Sequence, residues 1–166
     1  PGGYYEVSSP VLTFLETKIC MDPEVKGLHH FTGIAGDPTE NAKFYVNTLG
    51  LKLVKKTVNH DAPGMYHLFY GDNEGNPGTS LTFFPEMTDQ DGEDGTGMIT
   101  ELGLRIPEKS IAYWTERLED EGLESEIEQW HGKDTILFED PDGLTLRLVP
   151  EDTEAYTPWP SSNVPE

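Results

Sequence analysis

The chain of 166 residues has a single cysteine, Cys20, which rules out an internal disulfide and any zinc site built from cysteines. Such cysteine usage fits a reducing cytoplasm, where the sequence places the protein. Basic residues are scarce as well: 11 Lys plus Arg stand against 31 Asp plus Glu, for a formal net charge of -20. A chain of that sign does not neutralise phosphates, so nucleic acid is excluded as a partner. Attachment to an anionic membrane through a basic patch is excluded for the same reason. Long apolar runs are missing too, and nothing approaches the roughly 18 residues of a membrane-spanning helix. Residues 1–20 have no basic start and no clean apolar stretch, so they do not read as a signal peptide.

What is present is periodicity, aromatic residues and a duplication. The acid is spread along the whole chain, as on the highly charged surface of a folded halophilic protein. A segment over 25–86 and another over 98–150 carry the same order of signals. Each opens with a short apolar strand, around Leu28–Ile34 and Ile99–Ile106, and runs into an amphipathic helix with an aromatic pair, Phe44-Tyr45 or Tyr113-Trp114. Each helix stops at a Gly-Leu step, Gly50-Leu51 or Gly122-Leu123, and three strand-like runs follow. Asp37-Pro38-Thr39-Glu40 is a helix start of the capping-box type. Tyr66, Leu68 and Tyr70 alternate with His67 and Phe69, as on a strand. Asp140-Pro141-Asp142-Gly143 reads as a tight turn.

The expected organisation is a leader or extension over 1–24, a βαβββ module over 25–86, an acidic linker over 87–97, a second βαβββ module over 98–150 and a proline-rich tail over 151–166. Pairing the modules predicts an α+β fold, a curved mixed sheet with helices outside and a concave face open to ligand. Duplicated units of this size pack as a pair, and ligands bind in the seam between them.

His29-His30 is the leading chemical candidate. Neighbours on a strand point to opposite faces, so one of the two faces the concavity, and imidazole is the commonest metal ligand. His67 lines the cavity if Tyr66 and Leu68 pack into the core, and Tyr66 and Tyr70 line it if the strand faces the other way. His60 and His131 sit beside turns and read as solvated. Phe44 and Trp114 read as helix-to-sheet core, and Asp91, Glu93 and Asp94 as a solvated charge run.

Gly27-Leu28-His29-His30-Phe31-Thr32-Gly33-Ile34, Leu49-Gly50-Leu51, Tyr66-His67-Leu68-Phe69-Tyr70-Gly71-Asp72 and Gly75-Asn76-Pro77-Gly78-Thr79 resemble the vicinal-oxygen-chelate superfamily, which includes the glyoxalases and bleomycin-resistance proteins. Within it they are similar to ring-cleaving dioxygenases that open hydroquinones and catechols. The resemblance covers about residues 25–150. It implies Fe(II) or Mn(II) held by two His and one carboxylate, with open positions for a dihydroxy-aromatic substrate and O₂. It also implies His30 as the first metal ligand, with His29 and Thr32 beside it as catalytic residues.

The chain departs from that pattern at one point. The family's metal-binding modules carry a Glu four residues after the turn glycine, whereas here Gly143 is followed by Leu144, Thr145, Leu146 and Arg147. The matching place in the first module is Thr82. Glu101 is the remaining candidate donor, and His67, Tyr66 and Arg147 are candidates for binding substrate.

Three readings follow. The chain is the N-terminal half of a ring-cleaving dioxygenase of haloarchaeal type, whose metal site is completed by a missing C-terminal half. Or it is a metal-free dimeric small-molecule-binding module. Or it is a single-domain metal enzyme in which His30 and Glu101 come from paired chains.

Overall fold

In the computed structural model, residues 27–85, 95–152, 161, 163 and 164 are described. The expected leader, most of the acidic linker with Asp91, Glu93 and Asp94, and most of the proline-rich tail lie outside the described residues.

The first module runs β1 (His30–Ile34), α1 (Pro38–Ala42), β2 (Lys52–Val58), β3 (Tyr66–Gly71) and β4 (Ser80–Phe84). The second runs β5 (Glu101–Ile106), α2 (Ile111–Asp120), β6 (Ser125–Trp130), β7 (Lys133–Glu139) and β8 (Thr145–Pro150). The β-α-β-β-β order of the duplication is therefore realised twice. Each module makes its own four-stranded sheet, in the orders β1-β4-β3-β2 and β5-β8-β7-β6. Both are mixed. The first strand of each module lies parallel to the last, and the other neighbours are antiparallel.

Local chemistry explains the helix boundaries. The Asp37 carboxylate accepts from the Thr39 and Glu40 amides and caps α1, with Pro38 at the first helical position. These hydrogen bonds hold the Asp37 carboxyl below its usual range. The expected single α-helix is not α throughout. After Ala42 it widens into a π-helical segment, Lys43–Thr48, with the Leu49 amide reaching back to the Phe44 carbonyl. That winding still buries Phe44, Tyr45, Thr48 and Leu49 on one side. In α2 the buried face is Trp114 and Leu118. Both helices end where a glycine enters the left-handed region, Gly50 at φ +73° and Gly122 at φ +75°.

The helices and the apolar faces of both sheets share one core. Tyr45, Tyr70, Phe83, Leu118, Ile136, Leu146 and Leu148 are all buried within it. Across the modules the Phe44 and Phe138 rings lie 6.3 Å apart, and the Tyr45 hydroxyl donates to Asp140 at 2.8 Å. Arg117 donates to the carbonyls of Asn47 and Thr48, and the Gly36 amide to Asp142. Burial raises the Asp140 carboxyl above its ordinary value, although the Tyr45 hydroxyl and the amides of Leu144 and Asp142 oppose the rise.

Strand alternation then decides what remains outside. In β1 Phe31 and Gly33 turn inward, leaving His30, Thr32 and Ile34 on the open face. In β3 Leu68 and Tyr70 are buried and His67 and Phe69 take the open side. Glu101, Gly103 and Arg105 take the open side of β5. The seam between the modules is thus filled mainly by core, and the polar candidates lie on the opposite sheet faces.

Candidate functional site

The open face of the first sheet collects most of the sequence candidates. His29 and His30 touch through their Nδ1 atoms at 2.9 Å, with the rings at 83°. Such a contact needs one Nδ1 to carry a proton and the other a lone pair, so the two imidazoles hold complementary tautomers. When His30 is the donor its Nε2 carries the lone pair, and that nitrogen makes no hydrogen bond among the described residues. A metal-ligating histidine is typically oriented through its second nitrogen in this way.

Thr32 lies beside Thr82 in register, and their hydroxyls meet at 2.7 Å. Thr82 is buried, and this bond gives its hydroxyl a partner at the floor of the face, one hydroxyl donating and the other accepting. His67 stands on the same face between two phenylalanines, with ring centroids 4.1 Å from Phe69 and 4.2 Å from Phe84. Burial lowers its pKa, and positive charge on His30 or Lys55 lowers it further, which favours the neutral ring. Its buried Nε2 has no hydrogen-bond partner among the described residues. His30, Thr32, His67 and Thr82 therefore share one face, brought there by β1, β3 and β4.

Tyr66 does not join them. It follows the Leu68 and Tyr70 side of β3, and its ring packs under the Lys56 ammonium at 3.8 Å. Tyr70 is buried and donates to Asn41. His60 and His131 are exposed, as expected.

Glu101 and Arg147, expected to bind metal and substrate, are partners of each other. The guanidinium donates to the two Glu101 oxygens at 2.6 and 3.0 Å, to Glu128 at 3.1 Å and to the Thr135 hydroxyl at 2.8 Å. Hydrogen bonding to Arg147 lowers the Glu101 pKa, and the same bond raises that of Arg147. Glu101 thus faces a guanidinium rather than an open coordination position. The sequence named both residues as separate candidates, and it is the strand register that puts them on one face as a pair.

Depressions mark the surface near both modules. One of about 330 Å³ lies between β1 and β5, lined by His30, Phe31, Leu102, Leu104, Arg105 and Trp114. A larger one of about 780 Å³ lies in the second module against Glu124, Glu126, Leu137 and Glu139, and no histidine lines it. Of the residues on the open face of the first sheet, His30 lines the smaller one, whereas Thr32, His67 and Thr82 line neither. Among the described residues no group of three or more His, Cys, Asp or Glu side chains converges on a point where a metal could sit. The donors present fit one corner of a two-His, one-carboxylate site, through His30, and not the whole of it.

The model of the Glyoxalase/Bleomycin resistance protein/Dioxygenase superfamily matches residues 27–148. The chain belongs to this superfamily. It is 40% identical over 136 residues to "Putative ring-cleaving dioxygenase MhqE" of Bacillus subtilis, a match covering 82% of this chain and 45% of the relative. It is 35% identical over 147 residues to the chlorohydroquinone/hydroquinone 1,2-dioxygenase of Sphingobium indicum, covering 86% and 46%. A crystal structure of a "putative dioxygenase" from Bacillus subtilis superposes with a TM-score of 0.79 at 39% identity, over 84% of this chain and 45% of that one. The chain therefore spans about half the length of the curated relatives it matches. The paired βαβββ modules are the vicinal-oxygen-chelate fold of this superfamily, as the sequence predicted.

Proposed function

We propose that the chain is the N-terminal domain of an Fe(II)- or Mn(II)-dependent ring-cleaving dioxygenase acting on dihydroxy-aromatics, and that it contributes one metal ligand, His30. The observation that carries this reading is the His29–His30 contact on an open sheet face, which leaves Nε2 of His30, when that ring donates, with a lone pair and no hydrogen bond among the described residues. The names and lengths of relatives at 35 and 40% identity support it. His29 orients the ligand, and the exposed Thr32 hydroxyl, backed by Thr82, is offered to a phenolic oxygen. His67, its neutral form favoured by burial between Phe69 and Phe84, stands beside them as a substrate-facing imidazole. The remaining ligands come from chain outside these two modules, and O₂ is the second substrate.

A second reading is a metal-free dimeric module that binds a small molecule. Arg147, standing where the family's metal-binding modules carry a Glu, favours it.

Anaerobic Fe(II) titration of the 166-residue chain in molar salt, beside His30→Ala, separates the readings. The expected result is weak binding that His30→Ala removes, with no ring cleavage by the chain alone. Tight binding near one Fe(II) per two chains would mean that paired chains complete the site. Binding that is absent, or indifferent to His30→Ala, would favour the metal-free module.

A further inference from the structure

The two sheets repeat one arrangement, and strand register identifies the equivalent positions. Thr82 is flanked in register by Thr32 on β1 and Phe69 on β3. Arg147 is flanked in the same way by Gly103 on β5 and Leu137 on β7. Two residues back along each strand, on the same face, His30 corresponds to Glu101 and His67 to Thr135. Pairing of Thr57 with His67 and of Glu128 with Thr135 makes Thr57 and Glu128 equivalent as well.

The contents of the two rows differ in charge. In the first module the row holds two imidazoles and two hydroxyls. In the second, the Arg147 guanidinium lies at the centre of the row, with one partner from each of the other three strands of its sheet: Glu101 on β5, Glu128 on β6 and Thr135 on β7. The Arg147 side chain is 7% exposed, while those of Glu101 and Glu128 are 37% and 47% exposed. The cation is inside and its carboxylates reach the surface.

We propose that Arg147 is the resident cation of the second module. Its guanidinium stands where an external cation would otherwise be held by Glu101 and Glu128, and so closes that face to metal. That cation binding is thereby confined to the first module rests on the function proposed above, whereas the closure of the second does not. The physical argument is compensation. Two carboxylates gathered on one buried cation repel each other once it is removed, and a small divalent ion can replace the lost charge. Lysine would keep the charge without the fork that spans both carboxylates.

The test is Mn²⁺ binding followed by electron paramagnetic resonance, with thermal unfolding in parallel at matched ionic strength. It compares the full chain with Arg147→Gln, Arg147→Lys and the double variant Glu101→Gln/Arg147→Gln. The expected result is a lowered Tm for Arg147→Gln, recovered by several degrees in millimolar Mn²⁺ as ion binding stabilises the folded state, with one ion gained per chain. The double variant gains none, and Arg147→Lys gains none. An Arg147→Gln chain that folds only with Mn²⁺ present also supports the proposal. One that gains no ion, or stays unfolded with and without Mn²⁺, overturns it, and so does a gain that survives Glu101→Gln. Adding His30→Ala leaves the gained ion in place, because that residue lies in the other sheet. Loss of Mn²⁺ from His30→Ala alone bears only on the function proposed above.

Discussion

The buried polar residues carry the sharpest consequences of single substitutions. Tyr45 is buried and its hydroxyl donates to Asp140, which also accepts from the amides of Asp142 and Leu144 and so shapes the turn before β8. Tyr45→Phe removes the donor between the modules and leaves a buried carboxylate oxygen without it, at a cost of about 1–3 kcal/mol. Urea unfolding of the variant measures this. Glu101 gives a pH dependence whose sign is set by Arg147. Its folded pKa lies below the ordinary value of 4.5, so its contribution is present above that value and is lost as pH falls through the folded one. Glu101→Gln is expected to flatten the acid limb of a Tm-against-pH profile and to leave the neutral-to-alkaline limb unchanged in slope. At this scale the sequence exposed the histidine pair and the missing carboxylate. It concealed the pairing of Glu101 with Arg147, because contact between side chains 46 residues apart depends on β5 lying beside β8.

Among elements, the helix ends make a controlled comparison. Gly50 and Gly122 terminate equivalent helices with nearly the same positive φ, so a side chain at either is strained by roughly 1–2 kcal/mol. Their surroundings differ. A Cβ on Gly122 meets nothing within 4 Å, whereas one on Gly50 comes within 2.6 Å of Val164. Gly122→Ala is therefore expected to cost the backbone strain alone and Gly50→Ala measurably more, as read from the two chemical-denaturation midpoints. Every strand and helix of both modules was legible in the sequence, because alternation, caps and Gly-Leu stops are local signals. The π-helical winding after Ala42 was not. An i→i−5 turn keeps the same buried residues as an α-helix over so short a stretch, and the apolar pattern does not separate the two.

The whole molecule is governed by its charge and by the two open sheet faces. With a net charge of -20, self-repulsion favours expansion at low ionic strength, and salt screens it over a Debye length of about 10 Å at 0.1 M. The Tm is expected to climb steadily as NaCl is raised from low to molar concentration. A flat salt profile would remove the argument for a halophilic surface. The first sheet leaves His30 and Thr32 exposed, while in the second Arg147 is buried against Glu101. The two modules share one architecture and differ in the chemistry of a few positions on one face of each sheet.

The sequence by itself determined the duplication, the βαβββ order, the helix boundaries set by Asp37, Gly50 and Gly122, and the histidine pair that begins β1. These are written in local spacing, where capping, left-handed glycine and strand alternation act over a few residues. Only the tertiary structure decided which face each candidate takes and what it meets there. Tyr66 turned away from His67 because Leu68 and Tyr70 needed the core. Thr32 met Thr82, and Glu101 met Arg147, because each module's first strand lies parallel to its last. Parallel pairing brings distant segments together through a crossover, and no local periodicity records it.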